Sequence, residues 1–120
     1  MSLRDTLGEI VTGVDGALAA FIMAYDGIAI DEFVAGAPEF DLHLLTTEYV
    51  TVLAEVNRAA EVLKVGDLEE VSITTSQVRV CLHCLGNELF AALVVAKGGN
   101  FGKGRHLLRL KSIELARELD

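Results

Sequence analysis

Three apolar runs between residues 71 and 96 are separated by only a few residues each, and this spacing constrains the fold more than any other feature. The runs are residues 71–75, 78–85 and 89–96, with Ser76-Gln77 and Gly86-Asn87 between them. The first run alternates apolar and hydroxyl side chains, as a half-buried strand does. Parallel strands need a crossover connection of a dozen or more residues. The three strands are therefore predicted to form an antiparallel meander.

The longest regular pattern lies between Asp41 and Lys64. Asp41 is a favoured helix N-cap, and Gly66 is a stop signal. Between them, apolar side chains recur at the spacing of one helix face, while the other face is largely polar. The apolar positions are Leu42, Leu45, Tyr49, Val52, Val56, Ala60 and Leu63. One long amphipathic helix is predicted, on which Tyr49 is either a core residue or an interface anchor.

The chain before this helix predicts a shorter helix and a β-hairpin. The first helix has an apolar face from Leu3 to Val14, a capping-box pattern at Ser2, and a stop at Asp15-Gly16. Residues 17–24 are continuously apolar, as in a strand covered on both faces. An Asp-Gly turn then returns the chain along residues 28–33. A loop at residues 35–39, around the single proline, leads to the long helix.

The last predicted element is a helix that opens at Asn100. Its apolar residues Leu108, Ile113, Leu115 and Leu119 are predicted to face one side, with Arg105 and Arg109 inside the same arc. The order is thus helix, two strands, long helix, three strands, helix. Because hairpins rather than crossovers join the strands, the predicted class is α+β around a five-stranded antiparallel sheet.

The composition predicts one domain, residues 1–120, in a reducing, cytoplasmic compartment. Hydrophobic residues make up 52% of the 120 residues, which is ample for one core. The formal net charge of −8 argues against nucleic-acid binding and against docking on an anionic membrane. We see neither a secretory signal nor a membrane span. The two cysteines, Cys81 and Cys84, are too close on one strand to build a disulfide framework.

A glycine-rich stretch, residues 97–105 (KGGNFGKGR), has the strand–loop–helix order of a phosphate cradle. The Walker pattern requires four residues between its first glycine and the Gly-Lys pair, followed by Ser or Thr. Here Gly98 and Gly102 enclose three residues, and Gly104 stands where the hydroxyl would be. We therefore expect a loop into a helix capped by Asn100, with no nucleotide and no cofactor.

Two further chemical patterns are weak. Cys81, His83 and Cys84 resemble a metal cluster, but strand alternation places Cys81 and His83 on one face and Cys84 on the other. No Gly-x-Ser-x-Gly elbow is present, and no carboxylate pair stands out. The sequence therefore predicts neither a metal site nor an enzyme, and an enzyme using Cys81 or His83 is the least favoured alternative.

The derived order resembles the Roadblock/dynein light-chain family, and bacterial and archaeal MglB-like members are the most similar in length. The family opens with a short helix, a glycine, an alanine-rich strand and an Asp-Gly turn, matched here by residues 14–20 and 26–30. Its final helix is entered through an Asn-x-Gly-x-x-Arg pattern, matched by Asn100, Gly102 and Arg105. The resemblance covers nearly the whole chain and implies a roadblock-like sandwich, related to profilin-like folds.

The resemblance also implies a function. Members form homodimers in which the strand after the long helix pairs across the twofold axis, and they regulate or scaffold Ras-like small GTPases without a nucleotide site of their own. The expected dimer interface contains Val71, Ile73, Thr75, Tyr49, Val52 and Val56. The expected partner-binding residues are Glu48, Thr51, Glu55 and Arg58. The sequence stops at Asp120, without the C-terminal extension of MglB-like members, which favours plain binding over GTPase activation.

The strand at residues 71–75 predicts the same dimer independently of the resemblance. Residues 71–75 lack proline or a bulge signal, so an open edge there would invite pairing, and an identical copy would cap it by an isologous contact. The alternative function is a small-molecule sensor, since PAS-like or profilin-like modules also combine an antiparallel sheet with flanking helices. The chain has no Trp, which favours tight packing over a ligand cavity.

Overall fold

A computed structural model describes residues 2–36, 41–86 and 88–119. Its elements, in chain order, are α1 (Leu3–Thr12), β1 (Ala17–Ala24), β2 (Ala29–Val34), α2 (Leu42–Leu63), β3 (Glu70–Thr74), β4 (Val78–Cys84), β5 (Leu89–Ala96) and α3 (Phe101–Leu119). The predicted order and class are confirmed. Most of the predicted loop at residues 35–39, and Asn87 of the predicted turn, lie outside the described residues.

The five strands form one antiparallel sheet in the order β2-β1-β5-β4-β3. The meander β3-β4-β5 is present as predicted. The hairpin β1-β2 adds to it because β1 pairs with β5. The link from β2 through α2 to β3 joins the two edges of the sheet, so both β2 and β3 are edge strands.

Helices cover both faces of the sheet, and each face has its own core. On one face, α1 and α3 pack through Leu7, Ile10, Leu108 and Leu115. On the other face, α2 packs through Leu42, Val50 and Leu53. The central strands contribute alternate residues to each core, so the continuously apolar β1 is covered on both sides, as predicted.

The local signals in the sequence have the expected geometry at most element ends. Ser2 and Asp5 form the capping box of α1, with N···O distances of 3.1 and 3.4 Å. Asp41 caps α2 and accepts from the backbone of Leu44 at 3.0 Å. Asn100 accepts from the N–H of Lys103 at 3.1 Å. One prediction is wrong: α1 ends at Thr12, with Gly13 as its C-cap, rather than at Asp15-Gly16, whose glycine belongs to the turn into β1.

The prediction for α3 is partly wrong as well. Its buried residues are Gly104, Leu108, Ser112 and Leu115, whereas Ile113 and both arginines of the predicted arc are exposed. Ser112 replaces Ile113 because its hydroxyl donates to the carbonyl of Leu108 at 2.7 Å, which removes the cost of burying it.

Candidate functional site: the α2 and β3 surface

The last ten residues of α2 include no buried residue. All the buried positions of this helix, namely Leu42, Thr46, Val50 and Leu53, lie in its first twelve residues. Beyond them the helix continues for ten residues to Leu63, which is 68% exposed. A helix that keeps an apolar stripe exposed normally packs against another surface.

The exposed apolar stripe of α2 is a heptad pattern that runs beside the buried face of the helix. The half-buried or exposed residues Leu45, Tyr49, Val52, Val56, Ala59 and Leu63 are spaced alternately by four and three positions. This is the a/d spacing with which helices pack side by side in coiled coils. Val52, at 44% exposed, lies near its middle. The stripe has the spacing of helix surfaces that pack against a second helix.

The structure therefore separates two faces that the sequence pattern merged. Leu42 and Leu53 point at the sheet together with Thr46, whose hydroxyl donates to the carbonyl of Leu42 at 2.8 Å. Tyr49 and Val56, predicted on one apolar face with Leu42, are only half-buried in the single chain. The predicted interface residues on α2 are thus the ones that the fold leaves accessible.

Two side chains of the edge strand β3 point to the face of the sheet that α2 covers. Its Val71 and Ile73 are half-buried against the α2 core. The N–H of Thr75 donates to Val78 and the N–H of Cys84 donates to Glu69, both at 2.9 Å. Because such residues alternate with residues that point away, the backbone groups of Glu70, Ser72 and Thr74 face the open edge. The edge thus presents three consecutive outward positions for pairing.

Thr75, also predicted in the interface, lies just beyond β3 and forms part of its turn. Its hydroxyl oxygen accepts from the backbone N–H of Gln77 at 3.2 Å and of Val78 at 3.1 Å. These bonds fix the β3–β4 turn. The structure therefore gives Thr75 a local role at the end of the predicted interface strand.

All four predicted partner-binding residues are exposed on the outer side of α2: Glu48, Thr51, Glu55 and Arg58. Arg58 and Glu55 form an exposed ion pair at 3.3 Å, which contributes little to stability. Glu48 borders a depression of about 430 Å³ whose wall includes Leu44, Leu45 and Val78. The structure brings these residues together on one acidic surface with apolar neighbours.

An ion pair that the sequence analysis missed ties α3 to β3. Nε of Arg105 donates to Oε2 of Glu70 at 2.6 Å, and the Glu70 side chain is mostly buried. The other oxygen of Glu70 accepts from the Cys81 thiol at 3.7 Å. The only sequence signal for this contact is the presence of Arg105 in the Asn-x-Gly-x-x-Arg pattern, which by itself does not name Glu70 as the partner. Arg105 therefore positions the edge strand from the opposite face of the sheet.

Solved structures with this architecture show what the chain is similar to. A Roadblock/LC7 domain from Streptomyces avermitilis matches 99% of this chain and 98% of its own, with a TM-score of 0.82 at 12% identity. MglB with tetrameric arrangement has a TM-score of 0.83 at 20% identity over 95% of this chain and 85% of its own. MglC from Myxococcus xanthus is 37% identical over 98% of this chain and 99% of its own, with a TM-score of 0.72. The chain belongs to the MglB-type Roadblock family. Neither a scan of protein-family models nor a search of curated proteins gave a match.

The glycine loop of this Roadblock chain is a packing device. Gly99 lies so close to Gly16 that a Cβ on Gly99 would be 2.6 Å from the carbonyl oxygen of Asp15. The N–H of Asn100 donates to that oxygen at 2.8 Å. The loop thereby joins the start of α3 to the α1–β1 turn. The close approach at Gly99 is a structural reason for glycine that involves no phosphate.

The cysteines of this Roadblock chain lie on opposite faces of β4, as strand alternation predicts. Cys81 is in the core under α1 and α3, while Cys84 packs on the α2 side. Burial lowers the pKa of His83, and its Nδ1 has no hydrogen-bond partner within the described residues. No group of three or more His, Cys, Asp or Glu residues in the described part of the chain is placed to hold a metal ion.

Both thiols are expected to resist alkylation in the folded protein. Burial, followed by the nearby Glu70 carboxylate, raises the pKa of Cys81 to about 12. Burial also raises the pKa of Cys84, whose sulfur lies 3.4 Å from the hydroxyl of Tyr25. Since the thiolate is the reactive form, iodoacetamide at pH 8 should label neither residue until denaturant is added. Rapid labelling of either cysteine in the native protein, read by mass spectrometry, would contradict this account.

The structure also shows a polar cavity of about 330 Å³ at the end of α2. It is lined by Tyr25, Asn57, Glu61, Gly66, Asp67, Leu68, Glu69, His83, Cys84 and Gly86. Acidic side chains supply most of its charge.

Among the described helices of this Roadblock chain, none is long and apolar enough to cross a membrane.

Proposed function

We propose that this chain is a non-catalytic homodimer that binds a Ras-like small GTPase on the outer surface of its paired α2 helices. The observation that carries the proposal is the heptad stripe on α2 beside the open β3 edge. A single chain covers the stripe only in part, and among the described residues the outer edge of β3 has no paired strand. A second copy would cover both at once by an isologous contact.

Three features support the dimer as a continuous assembly. The outward backbone groups of β3 would pair with the same groups of the mate, which extends the sheet across the twofold axis. The stripes containing Tyr49, Val52 and Val56 would then lie side by side on one face of that sheet. The tetrameric arrangement named for one MglB structure shows that relatives of this fold associate.

The partner surface is the acidic outer side of α2. Glu48, Thr51, Glu55 and Arg58 are exposed and belong neither to the buried face nor to the heptad stripe, although Glu48 borders Leu45 of that stripe. In the dimer, two such surfaces would lie next to each other and would form one composite platform. Its acidic bias fits a partly basic docking region on the GTPase, so binding should weaken as salt rises.

The GTPase proposal predicts a large effect of charge reversal on α2. Glu48→Lys with Glu55→Lys should weaken binding to a Ras-like GTPase of the same organism by about tenfold or more, because two like charges would then face the basic partner. The measurement is a titration with the GTPase loaded with GDP or with a non-hydrolysable GTP analogue. Light scattering should show an unchanged dimer.

The matched control reverses two glutamates on α3, on the other face of the sheet. Glu114→Lys with Glu118→Lys makes the same change in net charge and should leave GTPase binding within about twofold. Equal losses in both variants would reduce the effect to net charge. Absence of binding to every GTP- or GDP-loaded Ras-like GTPase of the organism would refute the proposal.

The alternative of a small-molecule sensor has less support. Phe21 and Phe90 fill the sheet under α2, where a buried ligand of such a module would lie. The cavity of about 330 Å³ near Tyr25 is polar and lies at the end of α2. Ligand sites are usually lined mainly by apolar side chains.

A further inference from the structure

The basic residues of this acidic chain are concentrated on α3. Five of the ten Lys and Arg residues lie in Phe101–Leu119, which contains only two acidic residues. The remainder of the chain is therefore strongly acidic. This segregation creates two faces of opposite charge, because α3 and α2 lie on opposite sides of the sheet.

Helix stability does not account for these positive charges. The N-terminal end of a helix carries a partial positive charge and favours Asp or Glu. In α3, the first turn has no acidic residue and contains Lys103, and Arg105 and His106 follow directly. A cation in the first turn goes against this preference, and such local departures are typical of functional surfaces.

Two of the cations also have exposed apolar neighbours. Leu110 is 52% exposed and Ile113 is 61% exposed on the side of α3 that faces away from the sheet. Lys103 and Arg109 flank them and form no ion pair with any residue that the structure describes. The side chain of Arg109 forms a hydrogen bond with Nδ1 of His106, at 3.1 Å. We call Lys103, His106, Arg109, Leu110 and Ile113 the α3 outer face.

A small cavity adjoins the N-terminal end of this face. It has a volume of about 170 Å³ and is lined by Glu70, Gly102, Arg105, His106 and Arg109. Its one carboxylate, Glu70, is already bound by Arg105. Arg109 also lines the cavity, and its guanidinium, which forms no ion pair with a described residue, supplies a charge that matches one incoming carboxylate.

We infer that the α3 outer face binds an acidic, amphipathic helix or peptide of another protein. The carboxylates of that segment would contact Lys103 and Arg109, one of them in the cavity, and its apolar side chains would cover Leu110 and Ile113. An apolar centre with a charged rim is the pattern of protein–protein interfaces. Duplex nucleic acid and anionic membranes would instead be repelled by the acidic remainder of the chain.

This surface is separate from the proposed GTPase platform. The sheet lies between α3 and α2, so both could be occupied at once. The dimer would then carry two acidic segments on one side and a GTPase on the other, which is the geometry of a bridging scaffold. The inference does not depend on the identity of the partner on α2.

A defined peptide tests the inference. The probe is a fluorescent, helix-forming peptide of about 18 residues, with leucines spaced i, i+3, i+4, i+7 and glutamates elsewhere. Fluorescence anisotropy with the full-length protein should show saturable binding that weakens as salt rises. Lys103→Glu with Arg109→Glu should weaken it about tenfold or more, and Leu110→Ser with Ile113→Ser should do the same.

The matched control carries the same charge change on the other face. Arg58→Glu with Lys64→Glu should leave peptide binding within about twofold. The inference fails if the control loses as much affinity, if polyglutamate binds as well as the leucine-containing peptide, or if no saturable binding occurs. It also fails if DNA or phosphatidylserine vesicles bind this face instead. The inference is overturned, too, if the protein forms assemblies larger than a dimer and Lys103→Glu with Arg109→Glu abolishes those assemblies. The α3 outer face would then contact another copy of this chain.

Discussion

Replacing Ser72 with proline is expected to convert the proposed dimer into a folded monomer. The N–H of Ser72 points to the open edge of β3, so proline removes a donor for the twofold mate and leaves the ladder to β4 intact. Because the contact is symmetric, two hydrogen bonds are lost in each dimer. We expect the free energy of dimerisation to weaken by about 2 kcal/mol or more, roughly a thirtyfold rise in the dissociation constant. Light scattering over a concentration series, with circular dichroism for folding, is the measurement.

Two control variants distinguish loss of the dimer contact from unfolding of the strand. Ser72→Ala keeps the backbone donor and should remain dimeric. Ile73→Pro removes an N–H that faces β4, and should therefore unfold the edge rather than release an intact monomer. A Ser72→Pro protein that dimerises as tightly as the wild type would rule out β3 pairing. A wild-type monomer at micromolar concentration would remove the composite platform altogether.

Adding a side chain at Gly104 is expected to destabilise the fold without touching any proposed binding residue. A Cβ there would lie 2.8 Å from a methyl group of Leu93 and 3.3 Å from one of Val14. Both neighbours are buried in the core under α1 and α3 and have little room to move. Gly104→Val should lower the free energy of unfolding by about 1–3 kcal/mol. Urea denaturation at fixed protein concentration measures the change.

Gly102→Ala is the matched control on the same helix. The nearest atom to an added Cβ there is 3.9 Å away, so alanine meets no obstacle. Because alanine favours the helix over glycine, we expect a gain of up to about 1 kcal/mol. A Gly104→Val protein as stable as Gly102→Ala would mean that α3 does not approach the sheet as closely as described. The pair separates packing at one glycine from helix propensity at the other.

The sequence by itself determined the elements of this protein and their order. Short turns between apolar runs forced an antiparallel meander, and caps at Ser2, Asp41 and Asn100 located three helix starts. These signals are local: the hydrogen bonds of a cap and the closure of a hairpin involve residues two to four positions apart. The broken Walker spacing is equally local, and residue order alone excludes a phosphate loop of that type.

Some element ends and buried positions could not be predicted from the sequence, because the signals of nearby residues compete. Both Gly13 and Gly16 can follow a helix, and the close approach of Gly99 fixes Gly16 in the turn instead. On α3, Ile113 looked like a core residue by hydrophobicity, yet Ser112 is buried because its hydroxyl has a partner within the helix. Periodicity cannot rank two such positions when the buried arc is narrow.

Only the tertiary structure decided how the candidate surfaces are assembled. On α2, the stripe containing Leu53 and the heptad stripe containing Val52 are neighbours on the helix, and the sheet covers the first fully and the second only in part. The direction of the Ser72 N–H depends on the register of β3 with β4, and the role of Arg105 depends on a residue 35 positions away. Sequence periodicity gives the angle of a side chain about its own element. Which angle faces a core, an open edge or solvent follows from contacts between distant segments, and those exist only once the chain has folded.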